Sequence, residues 1–135
     1  MGEGVHQHLS FEFEGPTLAA TLGRAVEVFA ESVADVHPSL VAAATHDVEL
    51  AGATPSALLL AVLEECLRRG REGEVAVTLD ATVADGVLHG VVGTVPVADP
   101  HVEAALPHVV SWHEVCLEPD GERGAWRGRV CAARA

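Results

Sequence analysis

Asp85-Gly86 sits between two stretches of strand-like sequence, and that arrangement leaves the chain few folds to choose from. Before it, Val75, Val77, Leu79, Ala81 and Val83 alternate with Ala76, Thr78, Asp80 and Thr82; after it, Val87–Val95 runs on until Pro96. Apolar residues at period two mark a half-buried strand, and Asp-Gly supplies the two central residues of a tight antiparallel turn. A second hairpin follows, with strands His108–Glu118 and Ala125–Ala133 about a turn at Pro119-Asp120-Gly121. Strands joined by such short turns pair antiparallel, because parallel neighbours need a crossover of a dozen residues or more.

The first half of the chain supplies the helices. From Val5 to Glu14, Leu9, Phe11 and Phe13 fall on one face and His6, His8, Ser10, Glu12 and Glu14 on the other, the pattern of a half-buried strand. Gly15-Pro16-Thr17 ends it, with Thr17 as N-cap of a helix whose Leu18, Leu22, Ala25, Val26, Phe29 and Val33 repeat at helical spacing to about Ala34. Asp35-Val36-His37-Pro38 stops that helix, and a strand runs from Ser39 to Leu50. Thr54-Pro55 opens a second helix with a buried stripe of Leu59, Val62, Leu63, Cys66 and Leu67. Glu64, Glu65, Arg68, Arg69 and Arg71 are assigned to its wet face, with Glu64–Arg68 and Glu65–Arg69 as ion pairs, and Gly70 or Gly73 closes it. The order β-α-β-α-β-β-β-β predicts one α+β domain over residues 1–135, two helices packed on a mostly antiparallel sheet, with Phe11, Phe29, Leu59 and Leu63 in a common core.

Charge narrows the partners. The formal net charge is −12 and the chain has no lysine, so it lacks the basic stripe that neutralises phosphates, and direct nucleic-acid binding is excluded from the expectations. An acidic surface would instead steer a basic protein partner. The longest apolar run, Ala57–Leu63, is far short of the roughly 20 residues that span a bilayer. The opening MGEGVHQHLS has no basic region followed by an apolar core, so the expected compartment is the cytoplasm. Cys66, Cys116 and Cys131 form no CxxC; a hairpin centred near Gly121 sets Cys116 opposite about Trp126 rather than Cys131, which predicts free thiols. There is no Gly-rich phosphate loop before a helix and no GxSxG.

Histidines carry what site chemistry the residues suggest. His6 and His8, two apart on a strand, share a face and could present neutral imidazoles to zinc or nickel, or simply face solvent. His101, His108 and His113 cluster ahead of the last turn; strict alternation puts His113 with Val109, Ser111 and Val115, opposite His108, Trp112 and Glu114. His89 alternates with Val87 and Val91 as a core or edge histidine, and Asp35 is either a metal ligand or a residue of the helix-end turn.

These segments together resemble the archease family, accessory proteins that activate the RtcB-type RNA ligase of tRNA splicing and repair. Gly15 anchors the first strand, Val33-Ala34-Asp35 resembles the end of the family's first helix, and Ser56-Ala57-Leu58-Leu59-Leu60 resembles its second. His101 precedes His108 by the spacing of the family's His and Lys, Val110-Ser111-Trp112-His113 stands where the family has Val-Thr-Tyr-His, and Trp126–Ala133 resembles the closing strand. Three positions depart: His8 replaces the first-strand Asp, His108 the Lys, and Ala133 the C-terminal Asp. In the family the two aspartates belong to a metal site and the lysine is needed for activation.

The resemblance implies a non-enzymatic protein that docks on the ligase and promotes guanylylation of its active-site histidine, with GTP used by the ligase and not bound here. His8, Asp35, His101 and His108 are the implied partner site. Imidazole and methyl in place of carboxylates predict that a divalent metal bound here is a transition metal such as zinc, on His6, His8 and His108, rather than calcium. Two further readings stay open from the residues alone: a small His-rich metal-binding protein, and a scaffold that keeps only the interaction.

Overall fold

The computed structural model describes residues 7–34, 42–96, 109–121 and 124–134. Its elements are β1 (Gln7–Gly15), α1 (Leu18–Ala34), β2 (Ala44–Ala51), α2 (Pro55–Arg71), β3 (Glu74–Ala84), β4 (Val87–Pro96), β5 (Val109–Asp120) and β6 (Ala125–Arg134). The order is the expected one, and every strand pairing is antiparallel. The strands divide into two sheets of three, β1-β6-β5 and β2-β4-β3. Both helices touch both sheets: α1 packs on β1, β6 and β3, and α2 on β5, β3 and β2.

Local chemistry explains the element ends. The Ala20 N–H donates to Thr17 Oγ1 (3.1 Å) and the Ala57 N–H to Thr54 Oγ1 (3.1 Å), so each helix has the threonine cap its sequence announces. Pro55 occupies the first turn of α2, where a missing N–H costs nothing. Gly73, at φ 89°, takes the chain out of α2 in a conformation that side chains disfavour. At the β3–β4 hairpin both Asp85 (φ 52°) and Gly86 (φ 75°) are left-handed, as a type I′ turn requires.

Phe11, Phe29, Leu59 and Leu63 are buried in one cluster, and the Phe11 ring lies between Phe13 and Phe29 at centroid distances of 5.9 and 5.8 Å. Phe13 packs against Gly128 of the neighbouring strand, where any Cβ would collide with its ring. Among the described residues no helix is long and apolar enough to cross a membrane.

Four sequence expectations are corrected. The last hairpin pairs Asp120 with Ala125, with Gly124 at φ 64°; its centre lies beyond Gly121, so Cys116 faces Arg129 and not Trp126. The cysteines are nonetheless free, as expected. β5 carries register shifts between Val109 and Ser111 and between Trp112 and Glu114, and the extra residue at His113 flips the alternation. Trp112 and Val115 therefore both pack toward the core, although they differ in parity. Glu65 is buried rather than wet, and His89 is exposed, its Nδ1 3.3 Å from Glu49 Oε1 on the outer face of β2-β4-β3.

Candidate functional site

One end of the molecule gathers the relevant chain segments. β6 ends where β1 and β5 begin: Gln7 and Val109 both face Arg134, and Ala133 faces His8 on one side and Ser111 on the other. In the second sheet β2 and β3 begin where β4 ends, with Ala44 opposite Thr94 and Glu74 opposite Pro96. α2 runs back along β5, since Ser56 Oγ accepts from the Leu117 N–H and Glu64 from the Trp112 indole N–H, and α1 runs back along β1, since Gly15 packs on Thr21 and Phe11 on Phe29. Its last turn thus reaches the same end, and α2, which stops at Arg71, delivers the chain there to begin β3 at Glu74.

Of the expected site residues, His8 has its backbone in β1 at this end, opposite Ala133. Its side chain, and His6, Asp35, His101 and His108 entirely, lie outside the described residues. Their described neighbours in the chain, Ala34 before Asp35 and Val109 after His108, both belong to this end. His113 is exposed, with Nε2 3.1 Å from Ser111 Oγ. Among the described residues no group of three or more His, Cys, Asp or Glu side chains could hold a metal ion.

The described side chains at this end form a polar cluster that the sequence reading missed. His46 Nε2 lies 3.1 Å from Glu74 Oε1 and 3.3 Å from Oε2, and Thr94 Oγ1 donates to Glu74 Oε2 at 2.9 Å. Thr94 is fully buried, while His46 and Glu74 keep about a third and a quarter of their side chains in water (31% and 26%). The Thr94 hydrogen bond, and after it His46, hold the Glu74 carboxyl below its usual range against the opposing effect of burial; the charge of Arg69 adds to the lowering. Arg69 in turn donates to the buried Glu65 at 2.8 Å, and Arg68 to the same carboxylate at 2.6 Å.

This cluster resembles a hydroxyl–imidazole–carboxylate relay in composition but not in geometry. A relay needs one imidazole nitrogen on the hydroxyl and the other on the carboxylate. Here His46 Nε2 faces both, at 3.4 Å from Thr94 Oγ1, and the hydroxyl donates directly to Glu74. Its buried hydroxyl also has no route to a substrate. What the arrangement does is fasten edge strand β2 to β3 across β4. The signal was there to read: His46 shares parity with Ala44, Val48 and Leu50, so it stands on the inward face, where a ring nitrogen must find a partner.

The cluster gives a pH dependence. Because Glu74 has a lowered pKa when folded, its stabilising contribution is complete above the unfolded glutamate pKa and is lost as pH falls from there through the folded value. Stability should therefore rise with pH across that acid window, and Glu74→Gln should flatten the rise. Urea midpoints of both proteins measured through that window check this; identical profiles would remove Glu74 from the account. The one strongly shifted thiol is Cys66, pushed up to about 12 by burial, which leaves it protonated and inert.

No family model matches the chain, and no curated protein matches it. Solved structures do. An archease from Thermotoga maritima, described as a possible chaperone, is similar over 98% of this chain and 97% of its own, with a TM-score of 0.66 at 9% identity. The solution structure of protein 1598 of Methanobacterium thermoautotrophicum is similar over 96% of this chain and 94% of its own, with a TM-score of 0.62 at 21% identity. The chain has an archease fold.

Proposed function

We propose that this chain acts as an archease-type accessory protein that docks on an RtcB-type RNA ligase and promotes guanylylation of the ligase's active-site histidine. The observation that carries the reading is the archease fold over 98% of the chain. The convergence of β1, β5, β6 and the end of α1 at one pole supports it, because the segments that bear His8, Asp35, His101 and His108 all enter or leave there. The charge supports it as well: a ligase that holds RNA phosphates needs a basic surface, and a chain of net charge −12 is attracted to one.

In this reading GTP and its metal are held by the ligase, and this chain performs no bond-making step. Ala133, a buried methyl opposite His8, supplies no oxygen ligand. A divalent metal on this chain would then use His6, His8 and His108, with zinc preferred to calcium. The test is multiple-turnover joining of broken RNA by purified ligase and GTP, with and without this protein, over a range of salt. Turnover should rise at low salt and the gain should shrink as salt screens the encounter. Turnover unchanged at every salt concentration would count against activation.

A further inference from the structure

We infer that, in addition to the pole already described, the outer face of the β2-β4-β3 sheet docks on a basic protein partner, with Val91 at its centre. The inference rests on the ligase reading for the identity of that partner, and on the following observations for the surface.

β2, β3 and β4 contain no arginine, and the chain has no lysine, so the sheet has no permanent cation. Its outward residues form two open cross-strand rows, Glu49–His89–Thr82 and Asp47–Val91–Asp80; in the next row, between Thr45 and Thr78, Gly93 is buried against Thr78 and Ala42. Asp47 and Asp80 are exposed, and no arginine pairs with either among the described residues. Between them stands Val91, 39% accessible and the one exposed large apolar side chain among the described residues. Both helices lie against the opposite face.

The outer face of β1-β6-β5 shows the contrast. There Arg129 pairs with Glu12 at 3.2 Å and Glu114 at 3.7 Å, and Arg127 stands in register between Glu14 and Glu118. That face sets two arginines among four glutamates, all of them long side chains whose rotamer freedom a partner would have to freeze. The β2-β4-β3 face pairs Glu49 with His89 and otherwise presents Asp, Thr and Val, which lose little entropy when covered, so the charge of Asp47 and Asp80 is left for another molecule to meet. An apolar centre rimmed by unpaired carboxylates is the complement of a small apolar contact rimmed by Lys or Arg.

Two charge-matched double variants test this. Asp47→Lys/Asp80→Lys reverses the proposed face, and Glu14→Lys/Glu118→Lys makes the same net change on the other face. Affinity for a purified RtcB-type ligase is measured by titration at low salt, with circular dichroism to confirm that each variant folds. The first variant should bind at least tenfold more weakly than the native chain and the second within about threefold. Equal losses, or no loss in the first, would overturn the surface while leaving the partnership standing. No binding by the native chain would overturn the partnership and this inference with it. Self-association of the native chain that only Asp47→Lys/Asp80→Lys abolishes would give the face to a second copy and overturn the inference.

Discussion

Phe29→Ala should destabilise the protein by about 3–5 kcal/mol, a large share of the roughly 5–15 kcal/mol that holds a domain together. Phe29 is buried on α1, its ring 5.8 Å from that of Phe11, in the cluster that both helices and both sheets share. Truncation removes the apolar area and leaves a hole that neighbours on three elements cannot all move to fill. Phe11 and Phe13 are held on β1, and Phe13 is already pinned over Gly128. Urea unfolding should show a lower midpoint at an unchanged slope. Val91→Ala, on the surface, should stay within about 0.5 kcal/mol. Similar losses in the two variants would mean that α1 does not lie between the sheets as described.

The second large effect is expected at Glu65. Its carboxylate is buried and accepts from Arg68 Nη2 at 2.6 Å and Arg69 Nε at 2.8 Å. The Arg69 side chain is only 11% exposed, so Glu65→Ala strands a nearly buried guanidinium. Arg68 is half exposed and keeps Glu72 at 3.1 Å, so it can turn to water. Breaking a buried pair from one side costs about 3–5 kcal/mol; with one arginine free to relax, about 2–4 kcal/mol is expected. Among the described residues the neighbouring Glu64 accepts only the Trp112 indole N–H at 3.2 Å, so Glu64→Ala should cost about 1 kcal/mol. Equal costs for the two in chemical denaturation would show that the Glu65 pair is solvated.

Both residues mark where the sequence was legible and where it was not. Phe29 could be placed in the core because helical spacing is a local property, as are the threonine caps and the Asp85-Gly86 turn. Glu65 could not, because its burial is set by tertiary packing. α2 packs on both sheets, which widens its buried arc beyond the stripe of Leu59, Val62, Leu63, Cys66 and Leu67 to take in Leu58 and Glu65. The register of the last hairpin depended on a loop running to Gly124, and the bulge at His113 depended on how β5 fits β6; neither leaves a mark in the alternation. At the candidate site, the alternation put His8 in the first strand, and its backbone stands there opposite Ala133. His46 was missed because the strand from Ser39 to Leu50 was placed without asking which face each residue takes.

The central claim, that this archease fold assists a ligase, is met most directly by following transfer of labelled GMP from GTP to the active-site histidine of a purified RtcB-type ligase at low salt. The account predicts a faster rate of ligase guanylylation when this protein is added, and less acceleration with Asp47→Lys/Asp80→Lys at the same concentration. A rate that is the same with and without the native protein would contradict it.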